Sequence, residues 1–131
     1  MNIKLNKILA EISAGELIDK ITILEIKKEK IKNKEKLSDI EKELKSLNAT
    51  SADKIPNKSE IKDLIDNLKR INLRLWDIEE NKRLAEKNKT FDERFIELSR
   101  EVYQTNDERA KIKLKINEIL GSNIKEVKSH Y

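Results

Sequence analysis

Residues 90–121 of the chain read T-F-D-E-R-F-I-E-L-S-R-E-V-Y-Q-T-N-D-E-R-A-K-I-K-L-K-I-N-E-I-L-G. This stretch predicts a single long helix. Thr90 and Glu93 match a T-x-x-E capping box, so we expect the helix to begin at Phe91. Gly121 marks its end, because glycine adopts the left-handed conformation that closes helices without a Cβ clash. One face repeats at alternating spacings of three and four, a heptad seam formed by Phe95, Leu98, Val102, Thr105, Arg109, Ile112, Ile116 and Ile119. Such a stripe requires partner helices to bury it.

A second long helix is predicted over residues 13–47. Ser13 and Glu16 form an S-x-x-E capping box at its start. The apolar seam opens with Leu17, Ile21 and Leu24, and then changes phase. The shifted positions are Ile26, Asn33, Leu37, Ile40, Leu44 and Leu47. We interpret the change of phase as a stutter, which alters the supercoil of a continuous helix.

Residues 48–58 contain the sole proline, Pro56, and several turn-forming polar residues, so they predict a loop. A third helix follows over residues 59–88 and forms a tight antiparallel hairpin with the helix at residues 91–120. Residues 1–12, in which Ile3 and Leu5 alternate like a short strand, are expected to be an arm packed on the bundle, and residues 122–131 a short tail. The prediction is an all-α, elongated antiparallel three-helix bundle with coiled-coil-like seams, in one domain of residues 1–131.

Composition supports this class of fold. Charged residues make up 41% of the chain and aromatic residues 4%, which suits thin helices that each bury a narrow stripe. Two glycines and one proline are too few for the turns of an all-β or α/β domain. The apolar stripes are wider than one coiled-coil seam, and a homodimer would use the remaining width.

Charge and cysteine content restrict the function classes. The net charge of +4 allows an acidic partner, but lysine greatly outnumbers arginine, whereas nucleic-acid readers favour arginine. The lysine-rich residues 27–36 therefore read better as a solvated face than as a nucleic-acid site. The absence of cysteine excludes disulfides and thiol chemistry. No apolar run suggests a signal peptide or membrane span, so we expect a cytoplasmic protein.

The predicted hairpin brings polar residues together at its middle. It places Trp76 level with Tyr103 and Asn72 level with Asn106, and the T-N-D-E-R run (residues 105–109) puts Arg109 on the seam. An arginine there must be paired, because an isolated buried charge is costly.

We expect the carboxylate that pairs with Arg109 to come from Glu25, Glu29, Asp77 or a partner subunit. Two interpretations remain open: a pocket for a small anion, or a polar layer that fixes the register of the helices. The second is favoured.

A second polar group is expected beside the turn between the second and third predicted helices. Glu16, Asp19 and Lys20 would lie there, with Glu79, Glu80 and Arg83 within two turns. Carboxylates in bundles bind metals through Glu-x-x-His or repeated Glu-x-x-Glu motifs on facing helices, which are not complete here, so no metal or cofactor is expected. His130 lies in the tail, close to the C-terminus, and we expect its side chain to be exposed. The candidate polar site therefore comprises Glu16, Asp19, Lys20, Trp76, Glu79, Arg83, Tyr103, Asn106, Asp107 and Arg109, and none of these is assigned a catalytic role.

Four motifs carry a resemblance to a known family: G-E-L-I-D-K-I-T-I-L-E-I-K (residues 15–27), L-W-D-I-E-E (75–80) with Arg83, F-I-E-L-S-R-E-V-Y-Q-T-N-D-E-R-A-K-I-K (95–113) and G-S-N-I-K-E-V-K-S (121–129). In these the chain resembles a group of small all-helical bacterial and phage proteins of unknown function. The resemblance implies no activity. It implies a stand-alone domain or an appendage near cell-surface glycan-modifying enzymes such as glycosyltransferases.

The leading functional hypothesis is a non-catalytic protein-interaction or scaffolding module, since no phosphate loop or nucleophile motif is present. One alternative is a nucleic-acid-binding protein that uses residues 27–36 and 111–115. Another is a small-anion site or a chorismate-mutase-like enzyme around Arg109. Chorismate mutases built of three helices need several inward-facing cationic side chains, of which only Arg109 clearly lies on a seam.

Overall fold

The computed structural model describes residues 4–128, in which all regular secondary structure is helical. The helices are α1 (Ala14–Lys30), α2 (Lys34–Lys54), α3 (Lys62–Lys87) and α4 (Glu93–Leu120), with a short 3₁₀ helix at Ser59–Ile61. The all-α class is confirmed, but the described residues form four long helices where the sequence predicts three. The expectations for Ile3 and His130 lie outside the described residues.

The predicted helix over residues 13–47 is wrong, because the chain reverses at residues 31–33. Ile31 leaves the helical conformation at the end of α1, and the side chain of Asn33 caps α2 by accepting a hydrogen bond from the Lys36 amide at 3.0 Å. The change of seam phase between Ile26 and Leu37 marks this reversal. A stutter and a helix break produce the same shift in apolar spacing, so the pattern alone did not separate them.

The predicted loop over residues 48–58 is also too long. Helix α2 continues to Lys54 and buries Ser51, and Thr50 donates its hydroxyl hydrogen bond to the Ser46 carbonyl within the helix. The helix stops where it does because Ile55 precedes Pro56, and a residue before proline is disfavoured in the α conformation. Packing against α1 has overridden the weak helix propensity of these polar residues.

Helices α3 and α4 form the antiparallel hairpin that the sequence predicts. The cap of α4 differs from the prediction: Asp92, not Thr90, accepts the hydrogen bond from the Phe95 amide, and the helix starts at Glu93. Its end agrees, since Gly121 lies in the left-handed region at φ 64°. In the turn Lys89 also has a positive φ of 53°.

Helix α1 is the central helix of the fold. It packs against α2 on one side and against both α3 and α4 on the other. Gly15 lies beside Asn117 and Asp19 beside Arg109, so α1 runs antiparallel to α4. The largest buried cluster joins residues of all four helices and the 3₁₀ helix: Leu17, Ile18, Ile21, Leu24, Ile40, Leu44, Ile55, Ile61, Leu68 and Ile116.

The first part of the N-terminal arm does not pack on the bundle as predicted, whereas Glu11 accepts a hydrogen bond from Asn123 at 2.6 Å. Residues 4–12 have no regular structure, and the side chains of Leu5, Ile8 and Leu9 are 79%, 81% and 89% exposed. Within residues 4–128, no helix has both the length and the apolar composition needed to cross a bilayer.

Candidate functional site

A buried carboxylate, that of Asp19, organises the polar interior. Asp19 lies in the second turn of α1 and is fully buried. Arg109 of α4 donates from Nε to both of its oxygens, at 3.0 and 3.1 Å, and from Nη2 to Oδ2. This contact supplies the paired charge and hydrogen bonds that a buried carboxylate requires. It also raises the pKa of Arg109 above its ordinary value, mainly through the hydrogen bond and against the opposing effect of burial.

Helix α3 joins the same network through Asn72. Its Nδ2 donates to Asp19 Oδ1 at 2.8 Å and to the Thr22 hydroxyl at 2.9 Å, and that hydroxyl donates to the Asp19 carbonyl at 2.8 Å. Asn72 and Thr22 are both buried. Three helices are therefore tied together by hydrogen bonds around one carboxylate.

A second ion pair borders the network. Lys113 Nζ lies 2.5 Å from Glu16 Oε2 and 3.6 Å from Asp19 Oδ2, and its side chain is 16% exposed. Lys20 also pairs with Glu16, at 3.6 Å, from a more exposed position. Two carboxylates thus face Arg109 and Lys113, so the interior charges balance before any ligand is considered.

The start of α1 is docked on the end of α4. The Ser13 hydroxyl accepts from the Glu16 amide at 3.0 Å, the Ala14 amide donates to the Ser122 hydroxyl at 3.0 Å, and the Gly15 amide donates to Asn117 Oδ1 at 2.6 Å. Amides at the start of a helix have no partner within the helix, and here three of them are satisfied.

Glu126 of the tail completes this end. It accepts hydrogen bonds from the Ser13 hydroxyl and, at 3.1 Å, from Asn117 Nδ2. Its pKa is lowered: partial burial pushes it upward, but the bonds from Ser13 and Asn117 and the charge of Lys113 outweigh that effect.

Gly15 allows the closest approach of α1 to α4. A Cβ built on it would lie 2.5 Å from the Lys113 carbonyl oxygen and 2.9 Å from Asn117 Oδ1. Only a residue without a side chain fits here, which gives the first glycine of the motif at residues 15–27 a packing role.

A cavity of about 460 Å³ opens beside the network, between α1 and α3. Ile23, Ile26 and Leu75 supply its apolar wall, and its polar lining consists of Asn72, Trp76, Glu79, Glu80, Arg83 and Arg109. Two buried side-chain polar atoms among the described residues have no hydrogen-bond partner, Nε1 of Trp76 and Oγ1 of Thr105. We call this space the tryptophan cavity.

A second cavity, of about 530 Å³, lies on the outer side of α4 against the C-terminal tail. Its lining includes Tyr103, Asn106 and Asp107, with Val102, Ala110, Leu114 and Val127 as the apolar part. We call it the tail groove. Asp107 pairs at its edge with Lys128, at 2.7 Å.

The candidate residues therefore do not form one site. Trp76, Glu79, Arg83 and Arg109 line the tryptophan cavity, whereas Tyr103, Asn106 and Asp107 line the tail groove. Asn106 touches Arg109 only through a long contact of 3.4 Å. The hairpin register predicts only the level of a residue along the axis, and it does not determine which side of α4 each residue faces.

Two expectations about the charged residues are wrong. The carboxylate bound to Arg109 is Asp19, not Glu25, Glu29, Asp77 or a partner's residue. Glu16, Asp19 and Lys20 do not lie beside the turn between α3 and α4, since Glu16 and Asp19 contact residues 109 and 113 in the second half of α4. A helix continuing to residue 47 would have placed them at the other end.

Thr22, Lys113 and Asn117 belong to the network but were not among the predicted site residues. Each is a polar residue within one turn of an apolar seam position, and that is the only signal the sequence carries for it. Among residues 4–128, no group of three or more His, Cys, Asp or Glu side chains is arranged to hold a metal ion. That no metal or cofactor binds stays a prediction.

Comparison with protein families gave one match. A family model described as "Family of unknown function (DUF6165)" matches residues 8–131. Comparisons with curated proteins and with solved structures gave no match.

Proposed function

The chain belongs to DUF6165, a family of unknown function, and from that premise we propose that it is a non-catalytic protein-interaction module that assembles through its N-terminal arm. The observation that carries the proposal is the exposure of Leu5, Ile8 and Leu9 on that arm. Neighbouring apolar side chains that remain in water are typical of surfaces that bind a partner.

The spacing of the arm residues supports helix-in-groove binding. Leu5, Ile8, Leu9 and Ile12 are at i, i+3, i+4 and i+7, which places them on one stripe if the arm becomes helical on binding. Fully burying one such side chain contributes about 1.5–3 kcal/mol. Three to four per arm, present twice in a symmetric pair, are comparable with the roughly 4–15 kcal/mol lost on association.

The tail groove is the surface that suits this arm, and we assign it to the arm of a second copy. Its apolar residues include Leu114, 41% exposed, and the side chain of Tyr103 stands open at its edge. Reciprocal exchange of arms gives each copy the same two contacts, which is the closed two-fold arrangement most common among homo-oligomers. The resulting homodimer is part of the proposal.

The polar interior supports a structural role for the network and not a catalytic one. Arg109 directs two of its nitrogens at Asp19, and Lys113 is held by Glu16. An enzyme of the chorismate-mutase type needs inward-facing cations that are free to bind a dianion. Here Lys113 and the Nε and Nη2 of Arg109 are already held by carboxylates, so the described residues of this network leave no pair of free inward-facing cations for a dianion.

The nucleic-acid alternative has less support. Residues 27–36 surround the exposed reversal between α1 and α2, but in the segment 111–115 Lys113 is engaged by Glu16. Along the neighbouring face of α1, Lys69 of α3 pairs with Glu25 and Glu29, at 3.8 and 3.5 Å. Mixed charges of this kind weaken any continuous positive surface.

Three further expectations belong to this proposal. The whole chain acts as one domain, it works in the cytoplasm, and it serves as an accessory to glycan-modifying enzymes. The last of these rests on the family resemblance alone.

Light scattering coupled to gel filtration tests the proposal. We expect the wild type, whose monomer is 15.4 kDa, to approach twice that mass as its concentration rises from micromolar toward millimolar. Ile8→Glu with Leu9→Glu should return it to the monomer. Lys4→Gln with Lys7→Gln changes the charge of the arm by the same amount and should leave the dimer intact. A wild type that stays monomeric throughout, or a dimer insensitive to the Ile8 and Leu9 changes, would refute the arm assignment.

A further inference from the structure

The tryptophan cavity has the composition of a small-molecule site. Its volume of about 460 Å³ lies within the range of typical ligand pockets. Three aliphatic side chains, Ile23, Ile26 and Leu75, form one apolar wall, and the polar residues named above complete the lining. This combination suits a ligand with an apolar body and one polar group.

One hydrogen-bond donor among the residues that line the cavity has no partner in the described part of the chain. The indole Nε1 of Trp76 is buried and has no acceptor among the described residues. Buried N–H groups without a partner are rare in folded proteins, because each one gives up the hydrogen bond that water would otherwise accept from it. Trp76 also lines the cavity, so a ligand there would lie against the indole that carries this unpaired N–H.

Arg109 adds donors that are already held in place. Its Nε and Nη2 are fixed by Asp19, whereas Nη1 has only the 3.4 Å contact with Asn106. A guanidinium carries five N–H donors, so hydrogen-bonding capacity remains on the edge away from Asp19. Since the orientation of this side chain is set by a buried partner, little rotamer entropy is lost when a ligand binds.

Arg83 stands at the rim of the same cavity. Its side chain is 83% exposed, and its contact with Glu79, at 3.9 Å, is long for an ion pair. Arginine recognises carboxylates through paired N–H donors, and a loosely held arginine can fold over a bound acid. Glu79 and Glu80 also line the cavity, whereas the side chains of Trp76, Arg83 and Arg109 carry hydrogen-bond donors only.

We infer that the tryptophan cavity binds a small organic acid, with its apolar body against Ile23, Leu75 and the indole, and its carboxylate between Arg109 and Arg83. The site lies on a different part of the molecule from the tail groove. It therefore stands or falls independently of the proposed arm exchange.

Fluorescence of the only tryptophan, Trp76, tests the inference directly. The probes are phenylacetate and hexanoate as acids, phenyl phosphate as an anion of different shape, phenylacetamide as the neutral isostere and 2-phenylethylamine as the cation. We expect saturable changes with the two carboxylates at millimolar concentrations or below. Phenylacetamide should bind about tenfold more weakly than phenylacetate, because it lacks the charge-assisted bonds.

Two variants separate the rim arginine from general charge effects. Arg83→Gln should weaken phenylacetate about tenfold without unfolding the protein, since this side chain is exposed. Arg94→Gln, on α4 beside Glu97, removes the same charge from a different place and should leave binding unchanged. Circular dichroism of both variants should match that of the wild type.

Several outcomes would overturn the inference. The first is the absence of a saturable change with either carboxylate up to about ten millimolar, a range in which weak pocket ligands are still detected. The second is tighter binding of the amine or the amide than of phenylacetate. The third is binding of phenylacetate by Arg83→Gln that is as tight as binding by the wild type. Preference for phenyl phosphate over both carboxylates would replace the carboxylate assignment with a phosphate site.

Discussion

Asp19 on α1 and Arg109 on α4, 90 positions apart in the chain, meet through two hydrogen bonds from a single guanidinium nitrogen, at 3.0 and 3.1 Å. The contact fixes the level at which α1 lies against the α3–α4 hairpin. Asn72 extends it to α3. We therefore propose that the polar layer acts as a register device, one of the two interpretations that the sequence left open for Arg109.

Removal of Arg109 should destabilise the fold. Arg109→Ala leaves the buried Asp19 carboxylate without its partner, and we expect the free energy of unfolding to fall by about 3 kcal/mol. Urea denaturation followed by circular dichroism measures this. Arg94→Ala removes an arginine from an exposed ion pair and should change stability by less than about 0.5 kcal/mol. If Arg109→Ala were as stable as Arg94→Ala, the polar layer would not set the register.

Gly15→Ala should destabilise the contact between α1 and α4. The added Cβ would meet the backbone carbonyl of Lys113 at 2.5 Å, so the helices must separate. We expect a loss of about 1–3 kcal/mol, although alanine favours an isolated helix by about 1 kcal/mol relative to glycine.

The matched control for Gly15→Ala is Ser38→Ala, on the exposed face of α2. It should leave stability unchanged or raise it slightly, because alanine has the higher helix propensity there. A Gly15→Ala protein at least as stable as the wild type would contradict the close helix crossing.

The cap formed by Asn33 should stabilise the chain reversal. Asn33→Ala removes the side-chain cap of α2 and should cost about 1 kcal/mol of stability. Asn48→Ala, within α2 and exposed, should have no such effect, since alanine is the better helix former. Equal responses of the two variants to thermal unfolding would favour one continuous helix through residue 33.

Stability should depend on the charge of Glu126 in acid. Its folded-state pKa lies below the ordinary value of 4.5, so ionised Glu126 contributes stability that is fully present above about pH 5. That contribution disappears as pH falls through the folded-state pKa. The difference in unfolding free energy between wild type and Glu126→Gln should therefore shrink from pH 6 to pH 3. A difference that is constant or grows toward acid would refute the hydrogen bonds to Ser13 and Asn117.

The sequence was sufficient for features that depend on a few neighbouring residues. The cap at Ser13, the left-handed Gly121 and the α3–α4 hairpin each follow from local geometry. The resemblance to an uncharacterised helical family is likewise confirmed. Local patterns therefore gave the all-α class, the start of α1 and the end of α4.

Features that depend on contacts between distant residues were not predictable in the same way. The reversal at residues 31–33 has the same apolar spacing as a stutter, and the helical course of residues 48–54 is imposed by packing on α1. Once the reversal was missed, Asp19 was placed at the wrong end of the bundle, away from Arg109. One error in topology thus displaced three of the ten candidate residues, Glu16, Asp19 and Lys20.

The proposed arm exchange can be observed with a spin label, because the chain contains no cysteine. The spin label is attached to Asn6→Cys protein at natural isotope abundance, and this protein is mixed with ¹⁵N-enriched protein that carries no spin label. A spin label at Glu41→Cys on α2 serves as the control. Arm exchange predicts that the label at residue 6 broadens amide signals of the ¹⁵N copy along the tail groove, from Val102 to Leu114 and at Val127, while the label at residue 41 leaves these signals sharp. Sharp signals throughout the tail groove with the label at residue 6, at concentrations where the wild type is dimeric, would contradict it.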